Sequence, residues 1–340
     1  MHYIQGLEKG INLGGWLSQC NYTKTRYDSF IVEDDIQKIS SWGLDHVRLP
    51  IDCEVIEKDD GSLDEDGFHY INSCLAWCKK YGMRMILDIH KAAGYTFNNA
   101  FSEENSLFRN ETLQNRFVSI WSELARRYGN ENDTVVFELL NEVVEKENSE
   151  PWNILAHRTI EAIRKYAPDT QIIIGGVEWN SVRAVALLDK PYDENVIYTF
   201  HFYEPFAFTH QNASWVPETK DVSIEYPSTV AAYRNAARII GEKASFIFKD
   251  DIKDMGVALL EQLIMQAVNV AEERGAALYC GEYGVIDQAP AESALRWYQN
   301  MHQLFEKYHI GRAAWSYKEM DFGITGQHYE AVLDGILASL

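Results

Sequence analysis

The middle of the chain contains the stretch Val135-Val136-Phe137-Glu138-Leu139-Leu140-Asn141-Glu142, an apolar run that ends in two polar residues. It shows little of the alternation expected of a strand with one face in water, which predicts a strand buried on both faces, as in a parallel sheet. The eight runs of this kind are Gly10–Leu17, Leu44–Ile51, Arg84–His90, Thr134–Glu142, Gln171–Val177, Val196–Tyr203, Ala277–Gly284 and Arg312–Lys318.

Segments with helical spacing separate these runs. They are Asp34–Trp42, Asp66–Tyr81, Glu111–Tyr128, Pro151–Tyr166, Gly256–Arg274, Ala291–His309 and Tyr329–Leu340. Repeated alternation of strand and helix over this length predicts an α/β fold, a (β/α)8 TIM barrel in a single domain over residues 1–340. A doubly wound open sheet is the alternative, but it should carry a glycine-rich phosphate turn after its first strand, and Gly10-Ile11-Asn12-Leu13-Gly14-Gly15 lacks that spacing.

The connection between the sixth and seventh predicted strands is much longer than the others. Residues 204–254 precede the next predicted helix and are rich in aromatic side chains, among them Trp215. Connections of this length are usually functional, so we predict an inserted subdomain or lid here.

Composition limits the class of protein. The chain has 31 Lys and Arg against 51 Asp and Glu, a net charge of −20 that disfavours binding to nucleic acid. The 5 cysteines are odd in number and without a C-x-x-C pair, so we expect free thiols. The start of the chain has neither a basic region nor an apolar run, which predicts no signal peptide and a protein that is cytoplasmic, or secreted with its leader missing from this sequence. No run is apolar enough for a membrane span, and a monomer is expected.

In a barrel of this kind, functional residues lie at the carboxyl ends of the strands. Two glutamates end predicted strands there, Glu142 on the fourth and Glu282 on the seventh. A pair of carboxyl groups is what glycoside cleavage needs, one to protonate the leaving oxygen and one to attack the sugar or activate water. A separation of about 5 to 5.5 Å predicts retention of configuration, and a wider one predicts inversion.

Other polar and aromatic residues end the remaining strands. Arg48 in a buried strand needs an anion, so we predict that it holds a catalytic carboxylate ionised. The Tyr203 hydroxyl is predicted to reach Glu282, and the Trp315 ring to stack on a sugar. His90 and His201 suit hydrogen bonds to sugar hydroxyls and carboxylates. They suit a metal less well, since no H-x-H or H-E-x-x-H pattern occurs, and we expect neither metal nor cofactor.

Three further carboxylates have weaker claims. Glu138 lies inside the fourth strand and is predicted to be a structural partner, while Asp88 and Glu178 are reserve candidates for catalysis. Neither a G-x-S-x-G elbow nor a P-loop is present.

Taken in order, seven motifs resemble glycoside hydrolase family 5, and within it the small single-domain endoglucanases of the cellulase C type. They are Gly10-Ile11-Asn12-Leu13-Gly14-Gly15-Trp16, His46-Val47-Arg48-Leu49-Pro50, Ile86-Leu87-Asp88-Ile89-His90, Phe137-Glu138-Leu139-Leu140-Asn141-Glu142, His201-Phe202-Tyr203, Gly281-Glu282-Tyr283-Gly284 and Ala314-Trp315-Ser316-Tyr317.

The resemblance implies a retaining double displacement with Glu142 as acid/base and Glu282 as nucleophile. It implies that Asn141 binds the sugar 2-hydroxyl, that Arg48 and Tyr203 support the nucleophile, that His90 and His201 are rim histidines, and that Trp315 is the sugar platform. Trp215 falls where such insertions supply a stacking ring. One departure concerns substrate contacts: Lys91 stands where many members have a second histidine.

The expected substrate is a β-glucan oligosaccharide or polysaccharide, with internal β-1,4 bonds of cellulose-like or mixed-linkage glucans cleaved. β-Mannanase, xyloglucanase and exo-β-1,3-glucanase remain open within the same family. A sugar-binding barrel without catalysis would be expected to lack one of the two glutamates, and both are present.

Overall fold

In a computed structural model, which describes residues 3–98, 105–241 and 255–340, the chain forms a closed barrel of eight parallel strands. The strands are β1 (Lys9–Asn12), β2 (His46–Asp52), β3 (Arg84–Lys91), β4 (Val135–Glu138), β5 (Ile172–Gly175), β6 (Val196–Phe202), β7 (Ala277–Tyr283) and β8 (Gly311–Ala314). Each pairs with the next along the chain, and β8 pairs with β1. The predicted (β/α)8 fold is confirmed, and the open-sheet alternative is wrong because the sheet closes.

Helices cover the outside of the barrel. They are α1 (Lys24–Ser29), α2 (Glu33–Ser41), α3 (Glu65–Lys80), α4 (Glu111–Tyr128), α5 (Ser149–Arg164), α6 (Val177–Asn180), α7 (Phe206–Thr209), α8 (Val230–Ile240), α9 (Val257–Arg274), α10 (Ala291–Tyr308) and α11 (Leu333–Leu337). In α3 the buried side chains recur every three or four residues and include Cys74 and Cys78, which are free thiols, as predicted, and pack in the core. No helix in these ranges is both long and apolar enough to cross a membrane.

The interior of the barrel changes from apolar to polar along its axis. Near the amino ends of the strands, the buried side chains form one apolar cluster: Ile4, Leu7, Ile86, Val136, Ile173, Ile197, Tyr279 and Ala313. Side chains alternate along a strand, so the next inward positions on β3 and β4 are Asp88 and Glu138. The strand register places these two beside each other, and places Asn12 of β1 beside Arg48 of β2. A buried polar layer therefore lies under the carboxyl end of the barrel.

Some predicted strands are longer than the real ones. β4 ends at Glu138 and β8 at Ala314, so Glu142 and Trp315 stand on the loops that follow. The backbone of Glu142 has a φ of 39°, in the left-handed region, and extended structure cannot continue through it. The predicted last helix, Tyr329–Leu340, is a 3₁₀ turn over Gln327–Val332 followed by the short α11.

The long connection after β6 contains α7, a 3₁₀ turn at Pro217–Thr219 and α8. Its apolar residues join the core, including Phe208, Tyr226 and Tyr233, which are fully or almost fully buried. Residues 242–254 lie outside the described ranges. The extent of an inserted subdomain or lid over residues 204–254 therefore remains a prediction.

Candidate active site

The side chains of Glu142, His201 and Glu282 meet at the carboxyl end of the barrel. The Nδ1 atom of His201 lies 2.8 Å from Glu142 Oε1 and 3.5 Å from Glu282 Oε2. One oxygen of each carboxyl group and a ring nitrogen of His201 all lie within 4.8 Å of one another. A one-residue register shift after Phe200 brings His201 of β6 opposite Glu282 of β7. The two carboxyl groups predicted from separate strands thus line one small site.

Arg48 lies beneath this site in the barrel interior and binds Glu282. Its guanidinium is fully buried and donates from Nη1 to Glu282 Oε1 at 2.8 Å. It also donates from Nε and Nη2 to the two oxygens of Glu138, at 2.7 and 3.0 Å. The predicted contact of Arg48 with a rim carboxylate is present, and Glu138 is the structural partner that the sequence indicated. A buried arginine of this kind is stable only because its donors are all directed at anions and amide oxygens.

The second oxygen of Glu282 has its own donor. The hydroxyl of Tyr203 donates to Glu282 Oε2 at 2.8 Å, as predicted. Burial raises the pKa of Glu282, and the Arg48 guanidinium and the Tyr203 hydrogen bond offset a part of that rise. Each carboxylate oxygen thus has one directed donor, which favours the charged form.

Glu142 has different surroundings. Burial, and then the charge of Glu282, raise the pKa of Glu142 well above its usual range. Burial and the Arg48 charge hold the pKa of His201 well below its usual range, so the imidazole that faces Glu142 is neutral. Of the two carboxyl groups, Glu142 is the one that keeps a proton and Glu282 the one that keeps a charge.

Asn141 lies next to this pair. Its Oδ1 accepts a hydrogen bond from Arg48 Nη2 at 3.0 Å, which fixes the orientation of the amide. Its Nδ2 is buried and has no partner among the described residues. An orphaned donor of this kind at a site rim is available to a ligand oxygen. Asn141 therefore suits the predicted contact with a sugar hydroxyl.

His90 on β3 and Trp315 after β8 form a stacked pair at the rim. Their ring centroids are 5.7 Å apart and their planes differ by 2°. Burial lowers the pKa of His90 to about 4, and its Nδ1 lies 2.7 Å from Asp88 Oδ2. Gly14 permits this packing, because a Cβ there would lie 2.8 Å from Cη2 of the Trp315 ring. Only 6% of Trp315 is exposed, so what it presents to the site is a ring edge or a part of its face.

Trp215 lies further out, in the connection after β6. Half of its surface is exposed, and its ring centroid is 6.3 Å from those of His210 and Phe322. Phe322 in turn packs on Tyr203 at 5.6 Å. Trp215 is thus joined to the site through one intervening ring, and its contact with a sugar remains a prediction.

Several residues that complete the site were not predicted from the sequence. Asn12 accepts from Arg48 Nη1 at 3.0 Å, and the signal for it was its place beside Arg48 in the parallel register. Gln19 lies 3.1 Å from the Nε2 of His90, through an irregular loop that no periodicity could place. Asn180 Nδ2 lies 3.4 Å from His201 Nε2 and follows a run of left-handed residues that sequence patterns do not predict.

The reserve carboxylates are not part of the pair. Asp88 is fully buried beneath it, 3.0 Å from Arg48 Nη2, and burial raises its pKa to about 7. Glu178 makes an outer ion pair with Arg183 at 2.9 Å. Within the described ranges, the ligand atoms of Glu142, His201 and Glu282 are close enough together to share a metal ion. Both oxygens of Glu282 are already engaged by Arg48 and Tyr203, so a metal would have to displace these contacts.

Comparison with known proteins finds one matching family and similar relatives. Residues 9–321 match the family described as Cellulase (glycosyl hydrolase family 5). The chain is 42% identical over 309 residues to cellodextrinase A of Ruminococcus flavefaciens, which covers 91% of this chain and 84% of the relative. It is 40% identical over 330 residues to endoglucanase C of Acetivibrio thermocellus, which covers 95% of this chain and 94% of the relative.

The fold is also found among solved structures. The crystal structure of Thermotoga maritima Cel5A in complex with cellobiose, in a mutant form, has a TM-score of 0.79 and 24% identity, and the match covers 98% of this chain and 96% of that one. At this identity the likeness concerns the fold.

Proposed function

Since the chain belongs to the cellulases of glycosyl hydrolase family 5, we propose that it hydrolyses internal β-1,4 bonds of cellulose-like or mixed-linkage β-glucans with retention of configuration. Glu142 is the acid/base and Glu282 the nucleophile. The observation that carries the proposal is the unequal pair itself: two carboxyl groups with oxygens within 4.8 Å, one surrounded by donors that keep it charged and one in surroundings that keep it protonated.

In the first step, the Glu142 carboxyl gives its proton to the glycosidic oxygen as the bond between that oxygen and C1 breaks. A Glu282 oxygen forms a bond to C1 from the opposite face, which leaves a glycosyl ester and frees the leaving sugar with its new hydroxyl. Arg48 and Tyr203 keep Glu282 charged until this bond forms. The neutral His201 keeps the orientation of Glu142 without adding a charge that would lower its pKa.

In the second step, the Glu142 carboxylate takes a proton from water. The water oxygen bonds to C1, the ester bond breaks, and Glu282 recovers its charge. Two inversions at C1 give net retention. The Nδ2 atom of Asn141 is free to donate to the sugar 2-hydroxyl, where hydrogen bonds strengthen in the transition state.

The decisive variant is Glu282→Gln, which keeps the shape of the side chain and removes the nucleophile. We expect turnover of barley β-glucan to fall by a factor on the order of 10⁴ or more, since removal of one covalent catalyst disables the whole sequence. Far-ultraviolet circular dichroism should show an unchanged fold. Glu123→Gln is the matched control, because that glutamate pairs with Arg127 within α4 on the outer ring and should leave turnover unchanged. Full activity in Glu282→Gln would contradict the assignment.

Stereochemistry provides a second check on the same proposal. The proton NMR spectrum of early products should show the β-anomer of the new reducing end first, and the α-anomer only after mutarotation. Initial release of the α-anomer would mean inversion, and would exclude Glu282 as nucleophile.

Chain length of the substrate is the part on which the relatives differ, because one is named a cellodextrinase and another an endoglucanase. Short cellodextrins are therefore a second candidate substrate with the same bond chemistry. On carboxymethylcellulose an endo-acting enzyme lowers viscosity early, before many reducing ends appear. A cellodextrinase should instead cleave cellohexaose well and leave viscosity almost unchanged. Laminarin and glucomannan in the same panel test the 1,3-glucanase and mannanase alternatives, and xyloglucan tests the remaining one.

A further inference from the structure

The hydroxyl of Tyr95 bridges the backbone on both sides of the turn that carries Glu142. It donates to the carbonyl oxygen of Glu142 at 3.0 Å and accepts from the backbone N–H of Val144 at 2.8 Å. Tyr95 is 2% exposed, and burial raises the pKa of its hydroxyl, so the proton needed for donation stays in place. One side-chain oxygen thus satisfies two buried backbone groups at once.

The turn itself needs such support. Glu142 has a φ of 39°, a conformation that residues other than glycine rarely adopt. The regular ladder of β4 has already ended at Glu138. On the β5 side, the carbonyls of Val143 and Val144 accept from the backbone N–H groups of Trp179 and Glu178, at 3.1 and 3.0 Å. On the β3 side, the hydroxyl of Tyr95 makes the corresponding hydrogen bonds to the turn.

Tyr95 is in turn rigidly placed. Its backbone forms a two-residue antiparallel bridge with Ala92, with N–O distances of 2.9 and 3.2 Å. Its ring packs edge-on against Phe108, with centroids 5.2 Å apart. Gly94 before it has a φ of 74°, and a Cβ there would lie 2.4 Å from Leu113 Cδ1, so the loop fits closely against α4. These backbone and ring contacts therefore fix the position of the Tyr95 hydroxyl next to the turn.

We propose that Tyr95 is a positioning residue for the acid/base, which fixes the turn of Glu142 so that its carboxyl group is aimed at the glycosidic oxygen. The inference rests on the proposed role of Glu142 and goes beyond it. The hydrogen bonds of the Tyr95 hydroxyl go to the Glu142 turn, whereas Glu282 is held by Arg48 and Tyr203. Loss of its hydroxyl should therefore weaken proton donation and leave nucleophilic attack intact.

Leaving groups of different basicity separate these two effects. Departure of a sugar hydroxyl needs protonation by Glu142, whereas 2,4-dinitrophenolate is stable enough to leave without it. The value of kcat/KM reports steps up to formation of the glycosyl ester. A defect in acid positioning should lower kcat/KM for cellopentaose and spare kcat/KM for 2,4-dinitrophenyl β-cellobioside.

The experiment compares Tyr95→Phe with the parent enzyme on these two substrates. Rates are expressed per active site, counted by the burst of dinitrophenolate that 2,4-dinitrophenyl 2-deoxy-2-fluoro-β-cellobioside releases as it labels Glu282. We expect kcat/KM for cellopentaose to fall about 10-fold, a part of the 10²–10⁴ that general acid catalysis contributes. For the aryl substrate we expect a change of less than about 2-fold, since its departure needs no acid.

The pH profile gives a readout that a merely structural role would not move. Burial and the charge of Glu282 raise the pKa of Glu142, and a loosened turn weakens both effects. The alkaline limb of kcat/KM for cellopentaose should therefore move to lower pH in Tyr95→Phe, while the acid limb stays in place. Tyr128→Phe is the matched control, because that buried hydroxyl donates to Asn72 Oδ1 at 2.9 Å, between α3 and α4 on the outer ring, and should leave both limbs unchanged.

Two outcomes overturn the inference. An equal loss on both substrates, counted per active site, would make Tyr95 a general structural residue, and no loss on either would make it dispensable. Glu142→Ala tests the underlying role separately: it should lose cellopentaose activity and retain kcat/KM for the aryl substrate. If Glu142→Ala keeps full activity on cellopentaose, the proposed function fails, whatever Tyr95→Phe does.

Discussion

The two glutamates of the site lie in regions of different construction. Glu282 lies within strand β7, opposite His201 of β6 at a one-residue register shift, and each of its carboxylate oxygens receives a directed hydrogen bond. Glu142 lies beyond the end of β4 on a left-handed turn, and its carboxyl group faces a neutral imidazole. The donors around Glu282 stabilise its negative charge, whereas the turn at Glu142 fixes the position of its carboxyl group.

This difference matches what each group must do. The nucleophile needs to be ionised whenever substrate arrives, so fixed donors around it are favourable. The acid/base must hold a proton in one step and a charge in the next, and a nearby cation would trap it in the charged form. Arg48 forms ion pairs with Glu282 and Glu138, whereas its effect on Glu142 is a longer-range electrostatic one.

The largest expected effect comes from removal of the fixed charge. Arg48→Met leaves Glu282, Glu138 and Asp88 buried without their cation, and we expect Glu282 to take up a proton. The free energy of unfolding should fall by about 3–5 kcal/mol, as when one partner of a buried ion pair is removed. The value of kcat/KM should fall on the order of 10³-fold, or roughly 4 kcal/mol. Urea denaturation and steady-state kinetics measure the two effects.

Arg312→Met is the control for that variant. Arg312 is also fully buried, but it packs on the outer side of β8 against α10, where its Nη1 bonds to Glu306 at 3.0 Å. We expect lower stability and unchanged kcat/KM per folded molecule. If Arg48→Met behaved like Arg312→Met, the charge of Glu282 would not depend on Arg48, and the contrast between the two regions would fail.

The same contrast explains what could be predicted from the sequence. Arg48, His201 and Glu282 lie in strands, where period-two alternation and parallel register limit which side chains can meet. The one-residue register shift that sets His201 opposite Glu282 leaves no pattern in the sequence. The sequence predicted that Arg48 holds a catalytic carboxylate and that the Tyr203 hydroxyl reaches Glu282, and the family resemblance implied that both residues support the nucleophile. The predicted fourth strand ran on to Glu142 because apolar residues continue to Leu140, whereas the real strand ends at Glu138. The left-handed turn depends on hydrogen bonds from Tyr95 and from the backbone of α6, which are distant in sequence and leave no local pattern.

A smaller effect should follow from Tyr203→Phe. The hydroxyl stabilises charged Glu282, so its loss raises the pKa of Glu282 and makes the nucleophile protonated over a wider acid range. A hydrogen bond to a charged group contributes about 1.5–3 kcal/mol, so the acid limb of kcat/KM should move up by about one pH unit or more. The alkaline limb, which follows Glu142, should move less. Rates on barley β-glucan measured across the pH range give both limbs.

Tyr198→Phe, on the strand that ends just before Tyr203, is the matched control. Its hydroxyl donates to the carbonyl of Asp189 at 2.6 Å, away from the site, and its removal should move neither limb. A downward shift of the acid limb in Tyr203→Phe would mean that the hydroxyl stabilises protonated Glu282, the reverse of the arrangement described.

The smallest expected effect is that of a chelator. It tests whether the two glutamates catalyse the reaction without a metal ion. The ligand atoms of Glu142, His201 and Glu282 are close enough together to share a metal ion. A bound cation would keep both carboxyl groups ionised, and the difference between the two glutamates would be lost. Arg48 and Tyr203 already occupy both oxygens of Glu282, and a divalent ion beside Glu142 would strip the proton that the first step needs. Dialysis against EDTA should therefore leave kcat and KM unchanged on barley β-glucan. A loss of activity that one added metal restores would replace the two-carboxylate mechanism with a metal-dependent one.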